Sequence, residues 1–243
     1  MKFLFIQAHP DDLEFNISNF MITVANQPSN EVRILSLTKG EYGTYIKEIK
    51  GVVLGRIREK ELRDAAKIEG ITDIEFLGYI DGHFEISTEA IQKMKKTLQD
   101  FKPDIVFAPE CLYYYYSHSD HVRTGLIVYR LLSEMPDNNR PQMFMYSSYV
   151  NTHYFPMMHR KRQSKALLTH KSQYWLLIPG WPLRYILGFY FGLRLPKKFH
   201  RYVFAEAYRK VDFQEDKVRQ LTLKQRIIGR IVQKMKMDVN PFI

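Results

Sequence analysis

Cysteine is nearly absent: Cys111 is the only one in 243 residues. No internal disulfide can form, so a disulfide-stapled scaffold is excluded and a reducing, cytoplasmic compartment is the expectation. An uninterrupted apolar run of spanning length is also missing. The greasiest stretch, Tyr174 to Leu195, is broken by Pro179, Pro182, Gly180, Gly188, Gly192, Arg184 and Arg194, whereas a spanning helix needs about 20 mostly apolar residues. The amino-terminal apolar run is too short for a secretory signal and ends in charge, so no targeting peptide is expected. Acidic residues are scarce in the second half. Residues 121–243 hold 22 basic and 7 acidic side chains; residues 1–120 hold 14 and 19, within a formal net charge of +10.

A hydrophobic fraction of 45%, with 16 Tyr and 16 Phe, fills a real core and excludes an extended disordered chain. Apolar runs at Lys2–Ala8, Val32–Leu37, Asp73–Leu77, Asp104–Ala108 and Met143–Tyr149 read as strands. Helical spacing covers 12–24, 57–68, 88–101 and 121–133. This alternation predicts βαβ units in an α/β fold: three layers, Rossmann-like, around a mostly parallel sheet. The expected division is a domain over 1–213 and a basic amphipathic helical tail over 214–243, where Leu223, Ile227, Ile231 and Met235 recur at helical spacing.

Two clusters of reactive side chains follow two of these strands. His9-Pro10-Asp11-Asp12 comes directly after the first. Ser117-His118-Ser119-Asp120-His121 comes after Asp104–Ala108. Open α/β sheets place ligands at the carboxyl ends of their strands, and His and Asp are zinc ligands. Alone, each cluster has a plainer reading: Asp12 and Asp120 suit helix N-caps. Two clusters at two equivalent strand ends point to a metal-hydrolase site.

The resemblance runs further. Ala8-His9-Pro10-Asp11-Asp12 matches the signature of the zinc-dependent N-deacetylases of the LmbE-like, PIG-L type. Leu37 to Gly43, Arg58 to Leu62 with Ala65-Ala66, Phe76 to Gly82, His118 to His121, Leu168 to Gln173 and Ala205 to Tyr208 resemble later elements of that family in order. The stretch from Val106 to Gly125 is most similar to archaeal diacetylchitobiose deacetylases. The resemblance implies that His9, Asp12 and His121 bind zinc, that Asp11 is the general base, that His118 is a polarising or acid group, and that Asp120 orients His118. It implies removal of an N-acetyl group from an N-acetylglucosamine-type sugar or glycoconjugate. A binding module for sugars or lipid headgroups that kept the fold is the competing reading. Two departures stand out: Asn16-Ile17-Ser18-Asn19 replaces a glycine-rich stretch, and Ser119 replaces the proline before Asp120. Without that proline, His118 is expected to be less rigidly aimed.

Substrate contacts are open between two readings each. Arg58 holds a sugar hydroxyl or phosphate, or is a solvated helix charge. Asp81 touches sugar, or forms a turn. Tyr116, in the run Tyr113 to Tyr116, stacks on a sugar face or packs its loop, and His170 is a substrate contact or structural. Cys111 is expected to pack as a small apolar group. The basic half has three readings. Nucleic acid is set aside, because no nucleic-acid motif is present. An anionic membrane surface fits the aromatic and basic residues of 174–237 and would place the protein peripherally at the inner membrane surface. The third reading is core packing or a homo-oligomer interface.

Overall fold

The computed structural model describes residues 1–115, 118–214, 216, 223 and 225–227. Seven strands form one sheet in the order β3-β2-β1-β4-β5-β7-β6. These are β1 (Lys2–Gln7), β2 (Glu31–Thr38), β3 (Asp73–Tyr79), β4 (Ile105–Pro109), β5 (Gln142–Tyr146), β6 (His153–Pro156) and β7 (Ala205–Lys210). The first five strands are parallel; β7 runs antiparallel to both β5 and β6.

Alternation along the strands builds three layers. Leu4 and Ile6 face one side with Leu35, Val106 and Met143, and there meet Met94 and Leu98 of α4 (Thr88–Phe101) and Ile127 and Val128 of α5 (Ser119–Ser133). Phe3 and Phe5 face the other side with Ile34, Phe107 and Tyr146. There they meet Leu13 of α1 (Asp12–Asn16), Met21 of α2 (Ser18–Ala25) and Leu62 of α3 (Val52–Glu69). A period of two sends neighbouring residues to opposite faces, so both faces of a parallel sheet are covered.

The winding reverses beside β1. Chain leaving β1 goes to β2 on one side, and β4 lies on the other. That reversal opens a crevice at the carboxyl ends of β1 and β4, where both reactive clusters sit. The loop after β4 is anchored by Glu110. Its Oε1 accepts the N–H groups of Cys111 and Leu112, and its carboxylate receives the fully buried Arg209 of β7. Cys111 is buried, as expected for an apolar filler.

Several expectations need correction. The helix read over 12–24 is two helices, because Ile17 leaves helical geometry at φ −137°. The helix read from 57 starts five residues earlier, at Val52, and the one read from 121 starts at Ser119. The strand read to Tyr149 ends at Tyr146, before Ser147 turns to φ 63°. Tyr174–Gly192 is one helix, α7, despite its two prolines, following the short basic α6 (Arg160–Leu167). No described helix is long and apolar enough to cross a membrane. The predicted tail over 214–243 lies almost wholly outside the described residues.

Candidate metal centre and active site

The turn after β1 is built by Asp12. Its Oδ2 accepts the N–H groups of Ala8 and His9, at 3.1 and 3.0 Å, so it ties back to the strand and does not cap the helix. Its other oxygen, Oδ1, lies 3.2 Å from His121 Nε2. That same nitrogen lies 3.0 Å from His9 Nδ1. His121 Nε2 of α5 therefore lies within 3.2 Å of both a nitrogen of His9 and a carboxylate oxygen of Asp12, side chains of the turn after β1. Burial works against the Asp12 charge, but the His121 and His9 rings and the His9 amide outweigh it and hold the carboxyl far below its usual range.

His9 is held from behind. Its Nε2 lies 2.8 Å from Asp81 Oδ1 and 3.3 Å from Asp120 Oδ2. Burial disfavours the imidazolium, yet Asp81, Asp120 and Asp12 raise the His9 pKa well above the ordinary value. Asp81 is itself fixed by the Tyr42 N–H at 3.0 Å, and Asp120 by the Gly82 N–H at 2.7 Å. Both carboxyls are held low by His9 despite their burial. A carboxylate on the outer nitrogen of a ligating histidine is the usual support for a metal site: it sets the tautomer and leaves the other nitrogen's lone pair free. Two nitrogens and one oxygen, backed in this way, fit a catalytic zinc set with an open fourth position. Two overlapping groups have ligand atoms close enough for one ion: His9, His118 and His121, and His9, Asp81 and Asp120. His118 Nδ1, however, accepts the Asp120 N–H at 3.3 Å and caps α5. This bond supplies the restraint that the missing proline would have given. It also assigns the ring proton to Nε2, since a backbone N–H can only donate. Burial and the neighbouring His9 and His121 pull the His118 pKa down to about 4.

Asp11 sits beside this set, in the left-handed region at φ 104°. That conformation is uncommon for any residue but glycine, and Asp tolerates it better than most. Burial pushes its carboxyl up to about 6, against the pull of Arg58. Arg58 Nη2 lies 3.3 Å from Asp11 Oδ2 and also donates to the Pro10 carbonyl, while Nη1 donates to Gly40 O at 3.0 Å. Arg58 is only 3% exposed, so the solvated-charge reading fails. Its guanidinium fills a cradle that only glycine leaves open: a Cβ on Gly40, at φ +63°, would lie 2.3 Å from it.

The remaining sequence candidates divide. Asp81, read as a sugar contact or a turn residue, supports His9. Asp120, read as orienting His118, offers His118 its backbone N–H, while its Oδ2 faces His9 Nε2 and accepts the Gly82 N–H. His170 is fully buried, 3.5 Å from Glu14 Oε2. Glu14 raises its pKa against the effect of burial, and Asp11 adds to the rise. Tyr116 lies outside the described residues. The sequence reading missed Glu61, whose carboxylate accepts the N–H and hydroxyl of Ser172 at 2.9 and 2.6 Å. It also missed Gln173, which donates to Gly43 O at 2.9 Å. Both lie in quoted motifs, so the signal was present without a role attached.

Replacing Asp81 with Asn should weaken metal affinity by roughly 10–100-fold, because the support on His9 Nε2 loses its charge. Competition with a chromogenic chelator measures this; unchanged affinity would remove Asp81 from the centre.

A family model described as PIG-L, GlcNAc-PI de-N-acetylase, matches residues 4–132. A probable N-acetyl-alpha-D-glucosaminyl L-malate deacetylase 2 from Bacillus anthracis is 30% identical over 188 residues, 70% of this chain and 80% of its own length. The diacetylchitobiose deacetylase of Thermococcus kodakarensis is 27% identical over 188 residues, 71% of this chain and 70% of its own. The fold matches the N,N'-diacetylchitobiose deacetylase structure from Pyrococcus horikoshii with a TM-score of 0.80 at 23% identity, over 91% of this chain and 87% of that one. The matched span carries both strand ends of the crevice, and with them all of the converging nitrogens and carboxylates; on that ground this chain belongs to the PIG-L family.

Proposed function

We propose that this protein is a zinc-dependent hydrolase that removes the N-acetyl group from an N-acetylglucosamine-type amino sugar or glycoconjugate and releases acetate. The observation that carries the reading is the meeting of His9 Nδ1, His121 Nε2 and Asp12 Oδ1 beside a carboxyl, Asp11, held near 6. His9, His121 and Asp12 hold the ion, which supplies Lewis acidity toward water and an amide carbonyl.

Asp11 takes the proton of the attacking water. A carboxyl near 6 is charged at neutral pH and still basic enough for that step. Arg58, pinned by Pro10 and Gly40, keeps Asp11 aimed, and the buried His170 adds to its pull on the Asp11 carboxyl. His118, neutral and protonated on Nε2, polarises the acetamide oxygen by donating a hydrogen bond, which narrows its role from polariser or acid to polariser. Charge on that oxygen grows as the tetrahedral intermediate forms, so a fixed donor favours the transition state over the bound substrate. Asp11, protonated by the first step, returns its proton to the departing amine. Asp81 and Asp120 hold His9 throughout.

Acetate release should be seen with zinc present on at least one of four classes: a free disaccharide, a thiol-precursor glycoside, a nucleotide sugar or a lipid-linked sugar. A chelator should abolish it and added zinc should restore it. Stoichiometric zinc with no acetate from any class would favour the binding module.

A further inference from the structure

Helix α7 has a buried side and an exposed one. Leu177, Arg184 and Gly188 face the fold, and Gly192 approaches the Val203 carbonyl so closely that a Cβ would overlap it. On the other side Trp175, Ile178, Leu183, Ile186, Phe189 and Leu193 recur at steps of three to five residues. All are exposed, Ile178, Ile186 and Leu193 by 60%, 65% and 69%. The only charged residue of the helix is the buried Arg184, so this stripe carries no charge along its length. Folded domains seldom leave such a continuous apolar surface to water. The patch extends beyond the helix. Trp175 packs on Tyr45 with ring centroids 4.6 Å apart, and Tyr45, Val52 and Val53 are exposed as well.

Charge selects the occupant. From 138 to 205 the chain has no Asp or Glu. Beside α7 runs an open groove lined by Arg160, Lys161, Ser164, Lys165, Leu168 and Tyr185. Past the end of the stripe, Arg194, Lys197 and Lys198 are exposed. An apolar stripe bracketed by cations suits the interface of an anionic bilayer, with rings and aliphatic chains below the headgroups and cations level with the phosphates. A second copy of this face would bring like charges together, which disfavours self-association.

We infer that α7, with Tyr45, Val52 and Val53, is a docking face for an anionic lipid surface, with phosphate headgroups seated along Arg160, Lys161 and Lys165. This does not rest on the deacetylase reading. It does reach the site: Gln173, at the start of α7, holds Gly43, and Tyr42 in the same loop holds Asp81.

Trp175 and Trp181 are the only tryptophans, so Trp181→Phe leaves Trp175 as the reporter. The full chain is mixed at low salt with vesicles of phosphatidylcholine alone or with added phosphatidylglycerol. It should float with the anionic vesicles, show a blue-shifted Trp175 emission that brominated lipid quenches, and detach as salt rises. Ile186→Glu should weaken binding by about tenfold. Charge reversal at Arg160, Lys161 and Lys165 together should erase the preference for phosphatidylglycerol. Both variants should keep the wild-type melting temperature; if Ile186→Glu melts early, Ile186→Ser reads the same loss. No flotation with anionic vesicles at low salt would overturn the inference, as would unchanged binding by a folded Ile186 variant. A dimer that Ile186→Glu dissociates, with no vesicle binding, would assign the face to a second copy and overturn it too.

Discussion

Replacing Asp11 with Asn lowers kcat by roughly 10²–10⁴-fold while zinc stays bound. Asn keeps the shape of the side chain and tolerates the left-handed backbone that position 11 adopts. It cannot take a proton from water. The same change should stabilise the metal-free fold. A carboxyl raised from 3.8 to about 6 by burial favours the folded state only when protonated. That contribution is complete below the ordinary carboxyl value and is lost as pH rises through 6. Above pH 6 the wild-type chain therefore holds a buried charge costing about 1–3 kcal/mol, and Asn removes it. Melting curves of chelated protein should place the variant above wild type at pH 8, with the gap closing toward pH 4. A bound dication would draw the Asp11 carboxyl lower, so the acid limb of kcat/KM in zinc-loaded protein should lie at or below 6. Loss of zinc in the variant would move Asp11 into the ligand set. Full turnover would take it out of the reaction.

Gly125→Ala should cost about 3 kcal/mol of stability and weaken zinc binding by about tenfold or more. Ala is the better helix former by about 1 kcal/mol, so propensity alone predicts a gain. The contact reverses the sign: a Cβ at 125 would sit 2.1 Å from the Pro109 carbonyl oxygen and 3.1 Å from Cys111 Cβ. Backbone at the end of β4 cannot rotate away as a side chain would, so α5 must lift. His121 is one turn earlier on the same face of α5 and lifts with it, leaving His9 and Asp12. Urea denaturation and a zinc titration measure the two effects. A variant with the wild-type midpoint and wild-type zinc affinity would show that the helix yields without moving His121.

The legible part of the fold was its parallel half. Strands such as Lys2–Gln7 are buried on both faces, and runs such as Phe3-Leu4-Phe5-Ile6 stand out against polar turns. Helix α7 hid for a physical reason. Its residues are apolar on the exposed side as well as the buried one, so no polar face marks its period. Helix α6 is short and basic, and β6 is only four residues long. In the site, the two clusters were legible because each is contiguous in sequence. The support of His9 by Asp81 was not, because it joins the ends of β1 and β3, which meet only after the sheet has formed. Arg58 stayed open between two readings for a related reason: on a helix rich in charge it looks solvated, and only the paired Gly40 and Gly43 signal that something large must fit against them.

The three carboxylates around His9 have one more consequence. In the metal-free chain the cation they surround is the imidazolium itself, a proton standing where a metal's charge will later act. That proton offsets one of the three negative charges before any ion arrives. Loading a metal here would trade that proton for a dication. Metal uptake would then release a proton to solvent, and acid would compete with the ion for the same ring.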